Sequence, residues 1–308
     1  MATSSAIRLF DSPRLSFLIF ASPKSGTTWL QRLLSAHPEA VCAESRAFGD
    51  YFDLSPGGRP RLTVETYVDG LSHHYAPSVD GLRRGDTPFY RALLFNMIDA
   101  MAETTLRATD KRVYGEKLTP YQGTARQVLD RLHDYNSDVR LVNLVRDGRD
   151  VIVSGGVQWL NLRRVAAAPG REAEHDEAIA AHHIRDDDFE RFLHHWTDAV
   201  SAAREARQRF SHVLDVRYED VLGAPHAQVT MLCAFLGIDA SHDVVARCVE
   251  AASFRALSGG RERGTEDAHS FFRKGVAGDW RNWLTPAQRD RFATEAGDLR
   301  RAMGYAEG

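Results

Sequence analysis

The chain has 308 residues, 43% apolar and 26% charged, a balance that gives a globular protein with a sizeable core and excludes a disordered or fibrous one. The formal net charge is -3, so no overall field draws the protein to nucleic acid or acidic lipid, and any anion site must be built locally. No run approaches the ~18 apolar residues of a membrane span, and Cys42, Cys233 and Cys248 lack metal-ligand spacing; buried free thiols, a cytoplasmic location and no nucleic-acid partner are expected.

The first apolar run, residues 17–21, reads as a buried parallel strand, and S-P-K-S-G-T-T-W-L follows it over residues 22–30. An ordinary phosphate-binding loop, G-x-x-x-x-G-K-[ST], places lysine directly after its second glycine. Here Thr27 holds that place and Lys24 precedes Gly26 by two residues. A strand, a tight turn and a helix start would still aim unpaired backbone N–H groups at one anion, with the hydroxyls of Ser25, Thr27 and Thr28 as further donors. Trp29, Leu30, Leu33 and Leu34 then recur as one helical face, closed by His37-Pro38.

Residues 50–88, rich in Gly, Pro, His and charge, read as an insertion over the strand ends, with helices expected at about 89–106 and 121–135. Residues 139–145 form a second buried strand. Arg146 ends it, and Ser154 lies about two helical turns further on in R-D-G-R-D-V-I-V-S, so both face one phosphate, for which arginine offers a bidentate fork. Residues 160–188 read as a second insertion, followed by a helix at 187–209, a strand at 212–216 and helices at 225–236 and 242–251. In R-K-G-V-A-G-D-W-R-N-W-L-T, residues 273–285, two cations and two glycines make a loop suited to close on an anion. The last helix, 286–303, opens with Thr285, Pro286 and Gln288, a capping box. Strands alternating with helices imply an α/β fold, a mostly parallel central sheet flanked by helices, with ligands at the carboxyl ends of the strands.

Together, P-K-S-G-T-T-W-L, V-R-D-G-R-D-V-I-V-S and R-K-G-V-A-G-D-W-R-N resemble, in order, the three donor-binding segments of sulfotransferases that use 3′-phosphoadenosine-5′-phosphosulfate (PAPS). The resemblance spans residues 17–285 and implies a P-loop-NTPase-like architecture, with 1–308 as one domain and acceptor-loop insertions near 44–110, 157–190 and 258–272. It implies that Lys24, Ser25, Gly26, Thr27 and Thr28 hold the 5′-phosphosulfate, and that Arg146, Ser154, Arg273, Lys274 and Gly275 hold the 3′-phosphate. Trp29 and Phe254 would enclose adenine, with Tyr218 at its edge; Ser253 also fits, although Ala252 replaces the threonine often found there. The reaction implied is sulfuryl transfer from PAPS to a hydroxyl or amine, giving 3′,5′-ADP without a metal.

Lys24 would stabilise charge on the leaving group, and an alcohol acceptor needs a general base. The histidine of the animal cytosolic branch is missing from Y-G-E-K-L-T-P-Y, residues 114–121, which looks more like the E-K-T-P form of bacterial and Golgi-type members. Glu116 is the first candidate base and Lys117 a contact to the sulfuryl group; Glu44, His73 and His74 are alternatives. Phe48, Tyr51, Phe52, Tyr75, Phe89 and Tyr90 would line an apolar cleft for a hydroxylated small-molecule acceptor. A P-loop kinase lacks support because the G-K-[ST] lysine is missing, and a catalytically silent nucleotide binder would have no need of Lys24 and Lys117. The spacing of Arg281, Thr285, Pro286 and Asp290 resembles a family dimerisation motif and implies a homodimer.

Overall fold

A computed structural model describes residues 9–45, 48, 68, 70, 71, 74, 88–120, 123–166 and 172–305. Among the described residues, five strands, β1 (Phe17–Phe20), β2 (Ala40–Glu44), β3 (Val113–Leu118), β4 (Arg140–Val145) and β5 (Val213–Arg217), form one sheet in the order β2-β3-β1-β4-β5. Every pairing is parallel. Parallel strands need crossovers, and helices provide them on both faces.

On one face, α2 (Pro88–Thr109), α3 (Ala125–Tyr135) and the C-terminal half of α6 (Asp186–Ala206) cover Leu18, Phe20 and Leu141. On the other, α1 (Thr27–Ser35), α7 (Tyr218–Gly223), α8 (Pro225–Leu236) and α9 (His242–Ala251) cover Ile19, Val142 and Val216. The apolar face of α1 is the one read from sequence: Leu30, Leu33 and Leu34 are at most 1% exposed, each burial contributing about 1.5–3 kcal/mol. A third core gathers α4 (Gly148–Ala166), α5 (Glu172–Ala180), the first half of α6 and two C-terminal helices, α11 (Trp280–Trp283) and α12 (Pro286–Ala302). The short α10 (Phe254–Leu257) precedes them.

The expected strands at 17–21, 139–145 and 212–216 are β1, β4 and β5. The capping box of α12 is present, with Thr285 Oγ1 accepting from Gln288 N at 3.2 Å and Gln288 Oε1 accepting from Thr285 N at 3.2 Å. Residues 160–188, expected as an insertion of loops, instead include the end of α4 and the whole of α5. All three cysteines are buried and unpaired with one another. Among the described residues, no helix is long and apolar enough to cross a membrane.

Candidate active site

β1 and β4 are adjacent, with Phe20 opposite Asn143, so the loops leaving their carboxyl ends emerge side by side. Arg146 joins them. Its Nη1 donates to the Lys24 carbonyl and its Nη2 to the Val276 carbonyl, both at 3.2 Å, while its guanidinium lies 4.5 Å over the Tyr218 ring. Three segments separated by more than a hundred residues thus meet at one buried cation.

They enclose a cavity of about 610 Å³, within the range of small-molecule sites. Of the residues expected at the donor, Lys24, Gly26, Thr27, Thr28, Trp29, Arg146, Ser154, Tyr218, Phe254, Arg273, Lys274 and Gly275 line it. The turn before α1 is built for close approach. Lys24 has φ +70° and Gly26 φ +95°; a Cβ on Gly26 would lie 2.6 Å from Tyr218 Cδ2. Gly275, at φ +69°, has the same role across the cavity, where a Cβ would lie 2.3 Å from Phe254 Cδ2. Trp29 is fixed by a 2.8 Å bond from Nε1 to the Ala252 carbonyl and meets Tyr218 edge-on, with ring centroids 5.4 Å apart. Two indispensable glycines therefore lie against the aromatic rings that frame one end of the cavity.

The cations occupy different environments. Lys24 donates to Gln158 Oε1 and its Nζ lies 4.5 Å over the Phe271 ring. Burial, together with the positive charges of Arg146, Lys117 and Arg273, lowers its pKa to about 7. Lys117 reaches Glu44 Oε1 at 3.3 Å and Thr28 Oγ1 at 3.4 Å. Arg273 is shared between Glu266 and Asp279, and Lys274 bonds Asp279 at 2.8 Å and Glu266 at 3.3 Å. Burial alone would raise the Asp279 carboxyl, but the bond from Lys274 and the charge of Arg273 bring it to about 2.

The closing loop is fastened from below by Asp150, which accepts from Gly278 N at 2.6 Å and Trp280 N at 3.0 Å. Asp147 organises the D-G turn ahead of it, accepting from the backbone N, Nε and Nη2 of Arg149 and from Arg300 Nε at 3.1 Å.

Several of the residues singled out in the sequence lie away from the cavity. Glu116 lies on the opposite sheet face from Lys117, 1% exposed and outside the cavity lining, and accepts from Tyr114 Oη at 2.8 Å. Alternation along β3 compels this, since only one of two successive side chains can face the cavity. Glu44 faces it, in register with Lys117. Ser253 caps α10 by accepting from Ala256 N at 3.2 Å and is not among the lining residues. Phe48 is fully buried, its ring 5.6 Å from that of Tyr135, in the core rather than on the cavity wall.

His74 is exposed and does not line the cavity, whereas His73, Tyr51, Phe52, Tyr75 and the side chains of Phe89 and Tyr90 lie outside the described residues. Ser25 is 1% exposed, and its Oγ has no hydrogen-bond partner among the described residues. Gln158, Trp159, Phe192, Phe271 and Phe272 also line the cavity; none is singled out by the sequence, although all but Phe192 fall in the segments 157–190 and 258–272 expected to supply acceptor loops. Gln158 follows Ser154 by one helical turn, a spacing that carries the signal in the sequence.

The sulfotransferase domain model matches residues 15–296. Cytosolic sulfotransferase 1 of Arabidopsis thaliana is 25% identical over 302 residues, covering 92% of this chain and 78% of that protein. The mouse sulfotransferase 1 family member D1 is 23% identical over 167 residues, 51% of this chain and 54% of its own length. Among solved structures, mouse sulfotransferase SULT7A1 complexed with PAP aligns over 99% of this chain and 95% of its own, with TM-score 0.55 and 19% identity. The sulfotransferase domain of the Synechococcus PCC 7002 olefin synthase aligns over 97% and 98%, with TM-score 0.57 and 18% identity. The fold is theirs, and the chain belongs to the sulfotransferase domain family.

Proposed function

We propose that the protein transfers the sulfuryl group of PAPS to a hydroxyl of a small-molecule acceptor, releasing a sulfate ester and 3′,5′-ADP. One observation carries the reading. Arg146 ties the Lys24 loop to the 273–276 loop, so that a single cavity is lined by Lys24, Lys117, Arg273 and Lys274, cations drawn from three separate segments. A ligand with two separate anionic ends suits that pattern. The Oγ of buried Ser25, without a hydrogen-bond partner among the described residues, supports an anion beside the Lys24 turn, and the rings of Trp29, Tyr218 and Phe254 support a flat base beside them.

The chemistry follows from positions. The acceptor oxygen attacks sulfur in line, the bond from sulfur to the bridging phosphate oxygen breaks, and negative charge gathers on that oxygen. Lys24 supplies the cation there. Lys117 meets the transferring oxygens, and Thr28, 3.4 Å from its Nζ, helps to aim it. Glu44, 3.3 Å from Lys117 and facing the cavity, takes the acceptor proton; it replaces Glu116 in that role. Trp159, Phe192, Phe271 and Phe272 support an apolar acceptor. Buried free thiols favour the cytoplasm, and a homodimer through the segment around Thr285 remains the reading of its spacing.

The test is incubation with PAPS and a panel of phenols, aliphatic alcohols, amines and sugars, read by mass spectrometry. A product heavier by one sulfuryl group, lost in Lys24→Ala, is expected. A Lys24→Ala protein as active as the wild type would overturn the assignment of that lysine.

A further inference from the structure

Arg273 and Lys274 are already neutralised. Two carboxylates, Glu266 and Asp279, hold both cations, and the two acids differ in kind. The Asp279 side chain is 2% exposed and also accepts from Asn282 Nδ2 at 2.9 Å, so it belongs to the scaffold. The Glu266 side chain is 24% exposed. Its backbone is held against the cation-bearing segment by Gly264 N to the Lys274 carbonyl at 2.9 Å and Asp267 N to the Arg273 carbonyl at 3.0 Å. A rotation about its own side-chain bonds would remove one of the two carboxylates from Arg273 and Lys274, leaving Asp279 on both, without moving the backbone of that clamp.

We propose that Glu266 is an internal competitor for the 3′-phosphate: it occupies Arg273 and Lys274 in the nucleotide-free protein and yields them when the nucleotide arrives, setting both affinity and release. The proposal rests on the PAPS reading above. Charge balance motivates it. A phosphate monoester carries about -1.5 to -2 at neutral pH. With Glu266 and Asp279 both in place, Arg273 and Lys274 contribute no net charge, and Arg146, bonded here to carbonyls, is left to meet that dianion. With Glu266 turned away, one further positive charge becomes available and the site matches the ligand. A carboxylate that returns as the phosphate leaves lowers the cost of dissociation, because neither cation is ever left bare in a half-buried site.

Calorimetry on the full chain compares wild type, Glu266→Gln and Glu266→Ala with 3′,5′-ADP and with 5′-AMP, and stopped-flow follows release. Both variants should bind 3′,5′-ADP about tenfold tighter and release it more slowly, with 5′-AMP changed by less than about twofold. A purely structural glutamate gives the opposite sign: unchanged or weaker binding of 3′,5′-ADP in the variants overturns the proposal. If the wild type fails to prefer 3′,5′-ADP over 5′-AMP, the donor assignment itself is wrong and the proposal falls with it, an outcome visible before any variant is made.

Discussion

Glu44 and Glu116 lie on neighbouring strands but on opposite faces of the sheet: Glu44 pairs in register with Lys117, and Glu116 with Ala43. Only Glu44 shares the cavity with the cations. Glu44→Gln should therefore lower turnover with an unactivated alcohol by about a hundred- to ten-thousandfold while leaving 3′,5′-ADP affinity near wild type. Glu116→Gln should retain turnover. Steady-state kinetics on both variants decides between them, and a Glu116→Gln protein that is folded but inactive would return the role to that residue.

The same pair shows where sequence reading reached and where it stopped. β1 and β4 were legible as apolar runs because both faces of these central strands are covered. β3 was not, because Glu116 and Lys117 interrupt its pattern, one buried beneath the sheet and one in the cavity. β2, five residues at the sheet edge, ends in Glu44 and lacks a run long enough to be read. The cationic lining of the cavity was legible because its residues sit in three contiguous segments. The aromatic wall of the cavity was legible only as segments: Trp159, Phe271 and Phe272 fall in the stretches 157–190 and 258–272 expected to supply acceptor loops, whereas Phe192 of α6 does not, and Phe48, in the 44–110 insertion, packs into the core.

Lys24 should couple nucleotide binding to proton uptake. Its pKa is lowered from the ordinary lysine value to about 7 by burial and by neighbouring cations, and a 5′-phosphate beside it would raise it. Below pH 7 the amine is already charged and binding draws no proton. Above it, binding takes up close to one proton, and affinity falls by up to about tenfold per pH unit until the pKa of the complex is reached. Calorimetry at pH 8 in two buffers of different ionisation enthalpy reads the uptake, which Lys24→Ala should abolish. Equal uptake in wild type and variant would contradict the assignment.

Gly275→Ala should act on the base end of the site. Its new methyl group would meet the Phe254 ring at 2.3 Å on a backbone already at φ +69°. Overpacking of this kind costs about 1–3 kcal/mol, so 3′,5′-ADP and 5′-AMP should both weaken by about ten- to a hundredfold. Parallel titrations check this, and a loss confined to 3′,5′-ADP would mean that Phe254 does not contact the base.

Asp150→Ala should loosen the closing loop. Two amides, those of Gly278 and Trp280, lose their acceptor, a cost of about 1–3 kcal/mol for each group left buried. Hydrogen exchange of residues 276–280 should accelerate by at least about tenfold while β1 and β4 keep their protection. Unchanged exchange in that segment would show that other contacts hold it.

One cavity is proposed to recognise both a 5′ and a 3′ anion, and titration of the wild-type protein with 3′,5′-ADP and 5′-AMP tests that recognition. The two ligands differ only by the 3′-phosphate that Arg146, Arg273 and Lys274 are proposed to bind. With charge-assisted hydrogen bonds at about 1.5–3 kcal/mol each, 3′,5′-ADP should bind at least about a hundredfold more tightly. Equal affinity for the two nucleotides would contradict the account.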